Sequence, residues 1–138
     1  MLLIVITLRH IAQFIPLVRF FIASPHHIAN KRYVRGSGNW NDGQFQAVIS
    51  DLTAALRYVG GSDFVAPDGH VVGRDQAYTY RGYSYAALGE RNRAEQDLEM
   101  AVRLASNDAT REIMEQRLQE LRAGGLPQPV KDKLGSRV

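Results

Sequence analysis

"AYTYRGYSYAALGERNRAEQDLEMAVRLA", residues Ala77–Ala105, is the stretch that decides the fold. It reads as helix, yet small residues interrupt it at Gly82, Ala86, Gly89, Ala94 and Ala101. A glycine inside a helix costs about 1 kcal/mol relative to alanine, so some packing demand must offset it. The spacing predicts one helix over Asp75–Leu88, with Tyr78, Tyr80, Tyr83, Tyr85 and Leu88 as its bulky residues. Gly89 suits a left-handed helix terminus. A second helix follows over Asn92–Ala105, with apolar positions Ala94, Leu98, Ala101, Val102 and Leu104. Two helices with so short a connection must be antiparallel neighbours. Gly82 and Ala101 then mark the close approach of two backbones, and Tyr85, Leu88 and Leu98 fill the space between them.

The same signature recurs upstream, in "RYVRGSGNWNDGQFQAVISDLTAAL". Arg35-Gly36 matches Arg81-Gly82, Gly43 matches Gly89, Asp51-Leu52 matches Asp97-Leu98, and Ala55 matches Ala101, all at one offset of 46 residues. The upstream copy departs in detail. Its first helix carries Gly36, Ser37, Gly38 and Asn39, all poor helix formers, and Val48 stands where Ala94 stands downstream.

These residues carry a family resemblance. Tyr78, Gly82, Tyr85, Leu88 and Gly89, then Ala94, Leu98 and Ala101, resemble the tetratricopeptide repeat, a helix–turn–helix unit of about 34 residues. The frequent closing proline of that family is absent, with Ser106 near its place, and the 46-residue offset exceeds the family period by about 12. The resemblance implies an all-α fold: a short α-solenoid of two such hairpins, a C-terminal capping helix and an additional N-terminal apolar helix. The expected segments are an apolar segment 1–25, a degenerate repeat 26–59, an inserted loop or hairpin 60–73, a second repeat 74–106, a capping helix 107–123 and a flexible tail 124–138. In the insertion, Pro67-Asp68-Gly69 is a turn signal between Phe64-Val65 and Val71-Val72. It reads either as a partner-contacting, lid-like loop or as a tolerated insertion. In the capping helix, Ile113, Met114, Leu118 and Leu121 form an apolar stripe, and Arg111–Glu115 an i, i+4 charge pair.

The N-terminal stretch "MLLIVITLRHIAQFIPLVRFFIASP" leaves three readings open. Its length suits a membrane-spanning helix, but Arg9, Arg19 and Pro16 fall inside it. It lacks the positive leader and small-residue cleavage site of a secretory signal, though its acid-free, arginine-bearing composition fits an organellar targeting segment. Arg9, Gln13 and Pro16 form a narrow polar stripe, which suits an amphipathic helix lying on a membrane or packing on the domain. Localisation therefore stays open between membrane-associated and cytoplasmic.

Composition narrows the chemistry. The chain has 138 residues, one domain's worth, and no cysteine, which excludes disulfides, thiolate catalysis and cysteine-ligated zinc. Of 17 basic residues, Arg9, Arg19, Lys31, Arg32 and Arg35 precede the first acid, Asp42, leaving 12 against 14 acids downstream. A nucleic-acid-binding domain would spread its cations over one folded face, so no nucleic-acid partner is expected. His10, His26, His27 and His70 show no metal-ligand spacing, "GSGNWNDG" lacks the lysine of a phosphate loop, and no serine sits in a nucleophile elbow. The expectation is a non-enzymatic adaptor or scaffold, with no catalytic residues, cofactor or metal. Its partner is a protein or peptide. The alternative is a membrane-associated assembly factor anchored by residues 1–25; two repeats are few for stability, a deficit open to packing of the N-terminal helix, to a partner or to self-association.

In tetratricopeptide repeats the inner face comes from the first helix of each pair. The resemblance places Asn30, Tyr33, Trp40 and Asn41 there from the first unit, and Gln76, Thr79 and Tyr83 from the second. Aromatic rings supply contact area and amides bind a peptide backbone. Trp40 and Tyr83 equally suit packing between helices. Lys31, Asn30 and Arg74 do not reproduce the carboxylate clamp found in some members of that family.

Overall fold

The computed structural model describes residues 24–65 and 68–136. The apolar stretch up to residue 23, with its anchor, targeting and packing readings, lies outside the described residues. Ser24 caps the first helix and Pro25 opens it. Among the described residues no helix is long and apolar enough to cross a membrane.

The described chain is all-helical apart from one small hairpin. In order it forms α1 (Pro25–Asn41), α2 (Phe45–Val59), β1 (Phe64–Val65), β2 (Val71–Val72), α3 (Arg74–Ala87), α4 (Arg91–Leu104), α5 (Asp108–Arg122) and α6 (Gln128–Gly135). Local chemistry starts and stops these helices. The Ser24 hydroxyl accepts from the amide of His27 at 3.2 Å, with proline in the first turn of α1. Asn107 caps α5 by accepting from the amide of Thr110 at 2.8 Å. Gly43 and Gly89 close α1 and α3 with φ of 67° and 79°, a region that favours glycine.

Helix α1 runs unbroken through Gly36, Ser37, Gly38 and Asn39 despite their poor propensity. Tertiary contacts hold it. A Cβ at Gly36 would stand 2.7 Å from Leu52 Cδ2 of α2, and the Asn39 amide donates to Asp51 at 3.1 Å. At Gly82 a Cβ would meet Asp97 Cβ at 3.2 Å and the carbonyl oxygen of Ala94 at 3.3 Å. Both glycines therefore mark the place where two helices touch. Pairing runs antiparallel in each hairpin. Arg81 meets Asp97 while Arg93 lies over the ring of Tyr85, and Gly36 meets Leu52 while Trp40 meets Phe45.

From α1 to α5 each helix packs on the next. Arg81 links the hairpins by donating to Thr53 Oγ1 of α2 at 3.1 Å. Arg122 ties α5 to α4 through Glu95 at 2.6 Å and Glu99 at 2.5 Å. The core runs through all of them, with Ala29, Val48, Leu52 and Ala55 from the first hairpin and Ala77, Ala94 and Leu98 from the second fully covered.

Four expectations are corrected here, and one pair of alternatives is decided. The insertion takes the hairpin form. Phe64 pairs with Val72 and Val65 with Val71, so the strands' period-two alternation turns Phe64 and Val72 inward. Phe64 is fully buried and stacks on Tyr33 at 4.7 Å. Leu88 is 45% exposed, because it stands at the C-cap where the chain leaves α3. Ile113 is 49% exposed, since it precedes Met114 by one residue and so points about 100° away from the buried stripe. Arg111 pairs with Asp108 at 2.7 Å rather than with Glu115. The tail expected to be flexible forms α6 instead, with Pro127 and Val130 fully buried against the core.

Candidate functional site

The first helices of the two hairpins, α1 and α3, share one face, which α5 extends at one end. Trp40 stands at its centre. Its ring lies 5.6 Å from Phe45, 6.0 Å from Tyr80 and 5.7 Å from Tyr83, all in tilted contact. Beside this cluster runs an open groove of about 310 Å³. Trp40, Tyr80 and Tyr83 wall it, Asp75, Gln76 and Thr79 follow from α3, Thr110 and Met114 come from α5, and Pro129 comes from α6.

Four of the residues expected on the inner face therefore come together in one groove: Trp40, Gln76, Thr79 and Tyr83. Their burial differs. Trp40 and Tyr83 are 7% and 5% exposed and belong to the core as much as to the groove. Gln76 is exposed, and Thr79 is half-buried, its hydroxyl donating to the carbonyl of Asp75 at 2.8 Å with Met114 Sδ 3.2 Å away. The other three are engaged elsewhere. Asn30 accepts from the amide of Val65 at 3.0 Å, which fastens the hairpin to α1. Tyr33 is covered by Phe64, and its hydroxyl donates to Gln76 Oε1 at 3.1 Å. The side chain of Asn41 is exposed, while its carbonyl oxygen accepts from Lys133 Nζ at 3.0 Å. The insertion accounts for two of the three: its buried Phe64 covers the end of α1 where Asn30 and Tyr33 lie.

Electrostatics set the groove's character. Burial pushes the Tyr33 phenol up to about 12, with Tyr80 and Asp75 adding to it. Burial likewise pushes Tyr83 up to about 12, and the nearby Arg117 charge only partly opposes it. Both hydroxyls therefore stay neutral hydrogen-bonding groups at physiological pH. Asp75, 5% exposed in the first turn of α3, has its carboxyl raised by burial. The backbone amides of Gln76 and Asp75 oppose that shift, and the charge of Asp63 adds to it.

The groove residues missed in the sequence are Asp75, Tyr80, Thr110, Met114 and Pro129. Tyr80 and Met114 carried a signal, as members of apolar stripes, but which side of the stripe opens on the groove depends on neighbouring helices. Pro129 lies in the segment read as tail. Among the described residues, no three histidines, aspartates or glutamates gather as a metal site would require. No protein-family model, no curated protein and no solved structure matches the chain.

Proposed function

We propose that this chain is a small interaction module of the tetratricopeptide type, a short helical solenoid that holds a protein segment or extended peptide and catalyses nothing. The observation that carries this reading is the groove itself. Aromatic walls from Trp40, Tyr80 and Tyr83 stand beside the polar groups of Gln76 and Thr79, on the face shared by α1 and α3. Rigid rings give contact area at little entropic cost, and amide and hydroxyl groups satisfy a peptide backbone. The duplicated skeleton supports it too. Arg35–Asp51 and Arg81–Asp97 join the helices of each pair at the same spacing, and a left-handed glycine closes the first helix of each.

Selection of displayed random peptides on the full-length chain tests the reading. Trp40 and Tyr83 are poor probes because their loss would disturb the core. Met114→Lys and Thr79→Lys alter groove residues that are only half-buried. Selected peptides are expected to lose at least about tenfold in affinity to either variant, about 1.4 kcal/mol. They should keep it with Arg91→Glu, at the exposed start of α4. Peptides indifferent to both groove variants would refute the site.

A further inference from the structure

The groove face already carries a ligand-like segment of the chain itself. Helix α6 returns from the end of α5 and lies on α3, and its Lys133 reaches α1. The return is made at Gly124, whose φ is 95°, and Gly125, tucked against the carbonyl oxygen of Glu120. Three features fasten the segment. Pro127 and Val130 are fully buried, with Leu126 and Leu134 packed against the same core. Lys133 Nζ sits 5.9 Å over the Trp40 ring and donates to the carbonyl of Asn41, the last residue of α1. A helix C-terminus is electronegative and leaves its carbonyls unpaired, so an ammonium group is complementary there. Finally, Pro129 forms part of the wall of the open groove.

Apart from its docking surface, little holds this segment as a helix. Eight residues are too few to hold a helix without a surface to dock on. Gln128, Lys131, Asp132 and Ser136 face solvent. A glycine pair separates α6 from α5, and the other five helices pack on one another without α6.

Resting on the peptide-binding reading above, we infer that α6 is a resident stand-in for the true ligand. A partner protein's short amphipathic helix, with the pattern leucine-proline-x-x-valine-x-x-lysine-leucine, displaces it from the α1–α3 face. The valine takes the buried site of Val130, and the lysine takes the Trp40 ring and the α1 C-terminus. Because α6 is tethered, its effective concentration is high and the incoming segment must outcompete it.

The test uses the full chain with Val130→Asp, which releases α6, and a blocked peptide of residues 125–136 added in trans. Trp40 is the sole tryptophan, so its emission reports occupancy directly. The peptide is expected to shift that emission on the Val130→Asp chain, to bind the unaltered chain at least about tenfold more weakly, and to lose binding when it carries Val130→Asp itself. Equal affinity for both chains, or no binding to the Val130→Asp chain while library-selected peptides still bind it, overturns the inference and leaves the groove reading standing. If neither binds, both fall. Should circular dichroism show Val130→Asp unfolded, Leu134→Asp serves in its place under the same criteria. Sedimentation of the unaltered chain is expected to show a monomer; a dimer with exchanged α6 helices would overturn the assignment to a different protein.

Discussion

In α1–α2 the Asp51 carboxylate gathers Arg32, Arg35 and Asn39, and its two arginines remain 40% and 57% exposed. In α3–α4 the Asp97 carboxylate takes Arg81 through two bonds of 2.7 Å, and that arginine is only 16% exposed. An arginine–aspartate joint at the same 16-residue spacing is common to both hairpins. What differs is the cover. The second hairpin is flanked by α2 on one side and α5 on the other, and Arg81 also donates to Thr53 of α2 and lies 5.4 Å from the centre of the Tyr78 ring. One motif therefore serves as a peripheral clasp in one hairpin and as an interior joint in the other.

The largest consequence concerns the two aspartates. Asp97→Ala strands a buried guanidinium and is expected to cost about 3–5 kcal/mol in chemical denaturation. Asp51→Ala returns two exposed arginines to water but leaves the Asn39 amide without its acceptor, and should cost about 1–2 kcal/mol. Equal losses would break the comparison. The glycines should reverse this order. An alanine at Gly36 drives into the buried Leu52 and is expected to cost about 1–3 kcal/mol. At Gly82 the neighbours need yield only slightly, and the gain in helix propensity of about 1 kcal/mol offsets the crowding, so Gly82→Ala should be near neutral. Thermal melts of the two single variants separate these cases.

Where the hairpins are alike, substitutions should act alike. Gly43→Ala and Gly89→Ala each force a left-handed residue and are expected to cost about 1–2 kcal/mol, similar in the two places. The smallest effect is a matter of pH. Arg35 holds the Asp51 carboxyl below its ordinary range, with Arg32 assisting and burial opposing. That contribution is present above the ordinary carboxylate pKa and is lost as pH falls through the lowered value. Asp75 has the opposite sign. Burial raises its carboxyl, so its contribution is full below the unfolded pKa and is lost as pH rises through the folded one. Asp75→Asn is expected to raise the melting temperature slightly at neutral pH and to make no difference near pH 3. A lowered melting temperature at pH 7 would contradict this.

Much of the fold was legible because backbone demands leave marks on the sequence. Gly36 and Gly82 stand where two helices approach closely, Gly43 and Gly89 where φ is positive, and their common offset announced two hairpins. The Arg–Asp joints were present in the matched residues as well, at a separation of 16 in both hairpins, but only the structure shows that they meet. What escaped was nonlocal. Asn30 and Tyr33 are taken by the insertion because Phe64 folds back onto α1. The tail is ordered because Val130 finds a seat on other helices rather than through any propensity of its own. A third of the groove was likewise hidden, since Thr110, Met114 and Pro129 reach it only once α5 and α6 have docked.

The central claim is that the face shared by α1 and α3 is where this protein meets its partner. Two-dimensional amide NMR of the full-length chain, titrated with a selected peptide, tests it most directly. The account predicts shifts concentrated at Trp40, Gln76, Thr79, Tyr80, Tyr83 and Met114, with α2 and α4 largely silent. Shifts clustered on α2 and α4, with the groove residues unmoved, would contradict it.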